Sequence, residues 1–424
     1  MLIQFNFENF KSFKNEATLD MSATNLKTNT NHVINNGTEK ILPFAAIFGE
    51  NAGGKSNVLN AFEYMTNYVI TSAMFKESQE TTDSYPMGIP KFERAMPFMF
   101  DDESKEKEST FEVFFMLNND EKKKVYQYGF CVDKDGISEE WLNTKAKTSK
   151  NYKTIFYRDR EELDLSGILK KHRENIAVSL REKTLVVSLG EVLNIDILKN
   201  VVDWFSDNRI VNLGDPIESF LMSIQLPDDF YTSQEVRENV VDYIHSFDNS
   251  ITDFEVEKID DKYKVYTIHK NNSSGERVRM PLNSESAGTL KMFSLYKYLN
   301  KVMKTGGTFI IDELNSKLHP LLIRNLMLTF LNPEINNKNA QLIFTTHDPW
   351  TLSNDILRRD EIWFVEKDSF NSSSLYSLAE FKTEDGLKIR VDENYEKNYL
   401  LGKYGAIPTL SKIKISGGDY NGEK

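Results

Sequence analysis

The chain has 424 residues, a net charge of −12 at neutral pH and a single cysteine, Cys131. The length suffices for two or three lobes with large cores, and one cysteine excludes an internal disulfide framework. The sequence contains no apolar run of membrane-spanning length, no signal peptide and no lipidation motif, so we expect a cytoplasmic protein without a membrane partner. The acidic balance argues against a uniformly basic nucleic-acid-binding surface, so DNA binding is not indicated, although the chain could still carry a local basic groove.

Strand patterns dominate the first part of the chain. Residues 2–7 alternate between apolar and polar side chains with period two, which is typical of a half-buried strand. Further strand candidates are residues 17–22, 43–48, 111–117, 125–132 and 154–157. Residues 118–120 are predicted as a hairpin turn, and the charged run 101–108 is predicted as a solvated loop. These patterns predict a β-rich first lobe over residues 1–160.

A phosphate-binding loop is predicted between the short buried strand at 43–48 and a helix. The segment fits G-x-x-x-x-G-K-[ST], in which glycines let backbone N–H groups wrap the phosphates, the lysine bridges the outer phosphates and the hydroxyl holds Mg²⁺. Apolar residues recur downstream at helical spacing, so the loop would open a helix whose N-terminus attracts anions. A glycine-rich turn capped by serine is the alternative interpretation. The segment comprises Gly49, Glu50, Asn51, Ala52, Gly53, Gly54, Lys55 and Ser56.

Helical spacing replaces the strand pattern after the first lobe. This change predicts a helical insertion over residues 161–250. Residues 254–259 and 263–268 are predicted as a hairpin that returns the chain to the sheet, and a strand at 278–282 follows. We therefore predict a second ATPase lobe over residues 251–400 and a C-terminal tail over residues 401–424.

A second catalytic segment lies in this later half. The apolar residues 308–311 are predicted as a strand that ends in Asp312 and Glu313. A carboxylate at a strand end can hold Mg²⁺, and a second carboxylate beside it can polarise a water for in-line attack on a γ-phosphate. Taken alone, an Asp-Glu pair after a strand has an equally good structural interpretation.

Two neighbouring patterns favour the catalytic interpretation. Upstream, residues 282–289 combine small residues and hydroxyls, including Ser286 and Gly288, at the start of a predicted helix, another anion-accepting geometry. A plain N-cap is the alternative there. Downstream, the predicted strand 342–344 ends just before His347. Because ligands of open α/β sheets bind at the carboxyl edge, His347 is a candidate site residue, although a lone histidine is more often structural.

In the order of these motifs the chain resembles the ABC-type ATPases, and within them the soluble SMC/RecF-like group. Residues 9–13, Asn-Phe-Lys-Ser-Phe, and residues 54–57, Gly-Lys-Ser-Asn, are familiar in that group. A narrower resemblance, covering nearly the whole chain, is to the RloA/AbiLi-type ATPases of bacterial phage-defence and restriction-linked loci. Its motifs are residues 285–289, 312–313, 318–320 and 346–348, and the tail segment 399–408.

The resemblance implies a role for each matching residue. Lys55 and the backbone from Gly49 to Gly54 would hold the β- and γ-phosphates of ATP, and Ser56 and Asp312 would hold Mg²⁺. Glu313 would be the general base and His347 the γ-phosphate sensor. Further nucleotide contacts would come from Lys11, Ser12 and Asn57, and from Ser286 and Gly288 of a second subunit, because the signature of this family caps ATP bound to the opposite subunit. Ala287 and Thr289 depart from the commonest form of that signature.

The fold class implied is α/β, an ABC-type P-loop NTPase with a β-rich N-terminal lobe and a helical insertion. The function implied is an ATP-binding and ATP-hydrolysing switch in a bacterial anti-phage system, which forms a homodimer around ATP and controls a separate effector protein. Too few residues follow His347 for the TOPRIM nuclease domain of OLD-type proteins, and we find no Arg and His at the spacing of a HEPN ribonuclease.

The sequence leaves two other functions open. One is a RecF/SMC-like DNA-repair ATPase whose dimer clamps duplex DNA, for which the acidic charge is unfavourable. The other is the nucleotide-binding subunit of a membrane transporter, which is disfavoured by the large segments between Lys55 and Asp312. Salt-dependent DNA binding stimulated by ATP would distinguish the first of these from the defence function.

Overall fold

The computed structural model describes residues 1–408 except residues 38, 76–92, 119, 224, 261, 317, 383–385, 387–388 and 391–392. Its strands are β1 (Leu2–Glu8), β2 (Ala17–Asp20), β3 (Ile34–Asn35), β4 (Lys40–Ile41), β5 (Phe44–Gly49), β6 (Ser109–Met116), β7 (Val125–Val132), β8 (Ile137–Lys145), β9 (Lys153–Asp159), β10 (Leu163–Asp164), β11 (Arg209–Asn212), β12 (Asp253–Ile259), β13 (Lys262–Lys270), β14 (Arg277–Pro281), β15 (Thr308–Asp312), β16 (Gln341–Thr345), β17 (Ile362–Lys367) and β18 (Ser373–Ser377).

The helices connect these strands. They are α1 (Lys55–Thr71), α2 (Asp102–Glu106), α3 (Lys170–Ser179), α4 (Val186–Val192), α5 (Asp196–Asp207), α6 (Pro216–Ser223), α7 (Gln234–His245), α8 (Ala287–Thr305), α9 (Pro320–Leu331) and α10 (Tyr395–Leu400). Within the described part of the chain, none of them combines the length and apolar character that crossing a membrane would require.

A central six-stranded sheet positions the site. Its order is β11-β15-β16-β5-β17-β18, and all neighbouring pairs are parallel except β17 with β18. The strands are buried on both faces: Ala45, Ile47 and Ile310 pack into one core, whereas Phe44 and Phe309 pack into the other. Such continuous apolar strands are expected where both faces of a parallel sheet are covered. The carboxyl ends of β5, β15 and β16 therefore meet at one edge.

The first of these cores is shared with a seven-stranded antiparallel sheet in the order β10-β9-β8-β7-β6-β1-β2. Helix α1 lies between the two sheets, and its predicted apolar residues Val58, Phe62, Met65 and Val69 are all buried there. Gln341 joins the sheets directly, because its side chain accepts from the Leu2 N–H at 2.6 Å and donates to the carbonyl oxygens of Leu2 and Leu42.

The segment predicted as a helical insertion, residues 161–250, contributes to several parts of the fold. Helix α5 packs in the first core, where the Trp204 ring stacks on Phe115 with the centroids 4.3 Å apart. Strand β11 forms the edge of the central sheet beside β15. Helix α7 forms a smaller core with Phe254 of β12 and Phe293 of α8. The predicted domain boundaries stay predictions.

Two local predictions are wrong. The charged run 101–108 contains a short helix, α2, because Asp101 caps it by accepting from the Ser104 N–H at 2.7 Å. Strands β12 and β13 do form the predicted hairpin, but together with β14 they make a separate three-stranded sheet and do not join the central one. Residues 409–424 of the predicted tail lie outside the described residues.

Candidate functional site

The predicted phosphate loop connects β5 to α1 at the carboxyl edge of the central sheet. Two of its glycines are required by close packing. A side chain on Gly49 would collide with the Val365 carbonyl of β17, and Gly54, at φ +114°, has the hydroxyls of Ser12 and Ser373 against its Cα. The turn between them contains Glu50, Asn51, Ala52 and Gly53, and Ser56 is the second residue of α1. The loop and the helix N-terminus thus have the geometry expected of an anion cradle.

Lys55 is held inside this loop. Its ammonium donates to the carbonyl oxygens of Gly49, at 2.9 Å, and Glu50, at 2.8 Å, and the residue is only 5% exposed. Burial lowers the pKa of Lys55 to about 8, against the raising effect of Asp312, Glu313 and Glu50. A partly desolvated ammonium with two carbonyl partners can exchange them for phosphate oxygens.

A buried hydroxyl network supports the loop from behind. Ser12 Oγ accepts from Asn57 Nδ2 at 2.8 Å and is 2.8 Å from Ser373 Oγ, which also donates to the Gly53 carbonyl. The Ser373 N–H donates to the Ser12 carbonyl, so β18 and the N-terminal lobe both hold the loop. No local pattern in the sequence identifies Ser373 as a support of the loop, because its partners are distant in the chain. The nucleotide contacts predicted for Ser12 and Asn57 stay predictions.

Lys11 lies at the margin of the site. It has a left-handed backbone, φ +50°, and its N–H donates to the Met96 carbonyl at 2.7 Å. Partial burial lowers the pKa of Lys11, and the charge of Glu63 on α1 opposes that effect. Partial burial also raises the pKa of Glu63, which feels the charges of both Lys11 and Asp312. Glu63 is therefore within electrostatic range of both Lys11 and Asp312. The contact of Lys11 with a nucleotide stays a prediction.

Asp312 is the last residue of β15 and Glu313 follows it, on the far side of β16 from the strand that leads into the phosphate loop. Asp312 is 5% exposed, and its Oδ1 accepts from the Thr345 hydroxyl at 2.5 Å. Glu313 adopts φ +53°, a left-handed conformation that costs a residue with a side chain about 1 to 2 kcal/mol. Its carboxylate lies directly against the Cα of Gly214, where any side chain would collide with it. Strain of this kind is concentrated at functional sites.

His347 completes the group from the end of β16. Its backbone N–H donates to Asn315 Oδ1 at 3.2 Å, and the same oxygen accepts from the Thr346 hydroxyl. Partial burial and the Lys55 charge lower the pKa of His347, while Glu313, Asp312 and a hydrogen bond to the Gly49 backbone act in the opposite direction. The lowered pKa favours the neutral imidazole, which can donate one hydrogen bond without carrying a charge.

The predicted signature lies at the start of α8. Ser286 is the N-cap: its hydroxyl accepts from the Thr289 N–H at 3.1 Å, and Thr289 reaches Asp248. Ser286 is exposed, and Gly288 lies in the first turn of the helix. Within the described residues, none of the hydrogen bonds of Ser286 reaches the phosphate loop of the same chain. A role toward a second subunit stays a prediction.

The residues predicted to hold Mg²⁺ suit that ion. Ser56 and Asp312 offer a hydroxyl and a carboxylate, the hard oxygen donors that Mg²⁺ prefers, and Mg²⁺ commonly takes one or two protein oxygens together with phosphates. The described residues contain no group of three or more acidic, histidine or cysteine side chains that could hold a metal ion. Partial burial raises the pKa of Glu218, and its neighbours Glu63, Asp215 and Asp312 raise it further, which indicates negative potential at this edge.

Together the parallel sheet, the glycine-rich loop at a helix N-terminus and the facing carboxylates define an α/β P-loop ATPase. A family model described as "AAA domain, putative AbiEii toxin, Type IV TA system" matches residues 44–353. Because the match covers well over half of the chain, the protein belongs to this family of nucleotide-binding ATPases. No curated protein matches the chain. The matched segment runs from β5 past His347 and leaves Lys11 and Ser12 outside.

Proposed function

We propose that the protein is the ATP-hydrolysing switch subunit of a bacterial anti-phage system of the RloA/AbiLi type. The observation that carries the proposal is the meeting of Lys55, Asp312, Glu313 and His347 at one sheet edge, each within electrostatic reach of the others. The family description, which names a toxin and a toxin–antitoxin system, supports a defence role with a separate partner protein.

The chain's own residues suffice for the positioning part of phosphoryl transfer. Lys55 would leave the carbonyl oxygens of Gly49 and Glu50 and bind the outer phosphates of ATP, where its charge offsets the charge of the transferred group. Glu313 would orient the attacking water and accept its proton, and neutral His347 would donate to the γ-phosphate. Mg²⁺, held by Ser56 and Asp312 when bound, would supply positive charge beside the phosphates.

The exposed signature supports a dimer around ATP. Ser286 and Ala287 are exposed at the N-terminus of the 19-residue helix α8, and a helix N-terminus attracts anions. In a two-fold dimer the signature of each subunit would cap the ATP held by its partner. Hydrolysis would then open the dimer and change its hold on the effector, so that ATP acts as a timed switch.

The test compares two variants that separate hydrolysis from binding. Glu313→Gln removes the base but keeps the shape, so we expect ATP hydrolysis to fall by at least about 100-fold while nucleotide affinity stays near that of the wild type. Lys55→Ala should lose nucleotide binding itself. Phosphate release and equilibrium binding of a fluorescent ATP analogue measure the two effects.

The mass of the protein in the presence of ATP then tests whether it forms a dimer. We expect Glu313→Gln to accumulate as an ATP-bound dimer and Lys55→Ala to remain in the nucleotide-free state. Identifying what copurifies with Glu313→Gln would show the effector. If Glu313→Gln hydrolyses ATP at the wild-type rate, the assignment of the base is wrong.

A further inference from the structure

Thr345 stands between the two catalytic carboxylates. It is the last residue of β16, its exposed fraction is 0%, and the sheet pairing of β15 with β16 ends one residue before it, at Ile311 and Phe344. The side-chain hydroxyl donates to Asp312 Oδ1 at 2.5 Å and accepts from the Glu313 N–H at 2.8 Å. One buried hydroxyl therefore joins both residues to the neighbouring strand.

The direction of these bonds is fixed by chemistry. A threonine hydroxyl has a single proton, and the Glu313 N–H can only donate, so the hydroxyl proton must point to Asp312. This bond needs Asp312 as an acceptor, which is the form that also binds a cation. Loss of the hydroxyl would leave the buried Asp312 oxygen and the Glu313 N–H without this partner.

The same residue stabilises the unusual backbone of Glu313. The Leu314 N–H donates to the Thr345 carbonyl at 3.0 Å, so Thr345 bonds the backbone on both sides of the Glu313 Cα. Glu313 keeps its left-handed φ of +53° between these two bonds, and its carboxylate is thereby directed against Gly214. Relaxation of the turn to an ordinary conformation would move the proposed base.

We propose that Thr345 is a positioning residue that sets the metal-binding carboxylate and the general base in one arrangement. It acts through Asp312 and Glu313 and has no contact of its own with ATP. The inference rests on the proposed function, because it assigns Thr345 a task within ATP hydrolysis. Mutation of a residue that hydrogen-bonds to a metal ligand typically lowers metal affinity or activity by about 10- to 100-fold.

Two substitutions separate the hydroxyl from the shape of the side chain. Thr345→Val keeps the branched shape and removes the hydroxyl, whereas Thr345→Ser keeps the hydroxyl. For Thr345→Val we expect kcat to fall about 10- to 100-fold and the Mg²⁺ concentration for half-maximal activity to rise, with affinity for an ATP analogue without Mg²⁺ changed by less than about threefold. Thr345→Ser should retain kcat within about threefold of the wild type. If Thr345→Val does not fold, Thr345→Cys, whose thiol is a weak donor, should show the same losses.

A residue with only a structural role would lower the melting temperature of Thr345→Val without changing kcat or the Mg²⁺ requirement of the folded protein. That result, or equal losses in Thr345→Ser and Thr345→Val, overturns the assignment. Measuring the wild-type protein distinguishes this failure from a failure of the proposed function. If the wild type has no ATPase activity, or if Lys55→Ala does not abolish that activity, the proposed function is wrong. If Lys55→Ala abolishes the wild-type activity but Thr345→Val retains it in full, only the role of Thr345 is wrong.

Discussion

At the scale of single residues, Lys55 links nucleotide binding to pH. Its pKa is about 8 in the nucleotide-free protein, because burial disfavours the ammonium. The phosphates of ATP favour the charged ammonium, so binding raises this pKa. Below about pH 8 the lysine is already charged, and above it each binding event must take up a proton.

We therefore predict that ATP affinity falls as the pH rises above about 8, approaching tenfold per pH unit while the pH stays below the pKa of the bound form. A fluorescent ATP analogue titrated between about pH 7 and about pH 10 measures this dependence. Any residual binding by Lys55→Ala should show no such slope. His347 does not interfere, since its lowered pKa places its titration on the acid side of this range. Constant wild-type affinity across the range would contradict the account.

The sequence predicts where the candidate site residues lie better than it predicts the residues that support them. Gly49 to Ser56, Asp312 and His347 lie at the ends of strands that local apolar patterns predict, so their convergence follows from the parallel sheet. Thr345 and Ser373 support them through bonds to segments far away in the chain. No local pattern encodes such a partnership, and only the fold brings the partners together.

At the scale of elements, β8 shows why one strand is not predicted. Its inward-facing residues include Glu140, a buried carboxylate, where an apolar residue would have completed the alternating pattern. Glu140 accepts from the Val186 N–H at 2.8 Å and pairs with Arg158 at 3.1 Å, so its burial is compensated by residues that the strand pattern cannot reveal. Strands β12 to β14 are predicted as strands, yet periodicity does not determine which sheet a strand joins.

Arg358 connects the N-terminal segment to the turn before β17. Its guanidinium, 1% exposed, pairs with Asp360 at 2.8 Å and donates to the carbonyl oxygens of Thr24 and Thr28. Because Arg358→Ala would leave Asp360 buried without its cation, we predict a loss of about 3 to 5 kcal/mol in the free energy of unfolding. Urea denaturation measures it.

The control for this prediction is Arg277→Ala, which removes the same side chain from a surface pair. Arg277 is 62% exposed and pairs with Asp253 and Glu255. Its loss should change the free energy of unfolding by less than about 1 kcal/mol. Similar values for the two variants would show that the buried network around Arg358 does not stabilise the fold.

At the scale of the whole molecule, the phosphate loop and the signature have different surroundings. Lys55 lies at the edge of the central sheet, whereas Ser286 is exposed at the start of α8 and bonds only within its own neighbourhood among the described residues. In the proposed dimer, one ATP therefore needs Lys55 from one subunit and Ser286 from the other. A subunit defective in one element could then be rescued by a subunit defective in the other.

Mixing two inactive variants tests this central claim directly. Lys55→Ala lacks the phosphate contact and Ser286→Arg blocks the signature, so each alone should have no ATPase activity. A mixed dimer contains one intact site, formed by the loop of the Ser286→Arg subunit and the signature of the Lys55→Ala subunit. We predict that an equal mixture recovers at most about a quarter of the wild-type ATPase rate, because half of the dimers are mixed and each has one working site. The control is that wild-type subunits exchange under the same conditions and that both variants are folded and inactive. If the mixture then recovers no ATPase activity, the site is not shared between subunits.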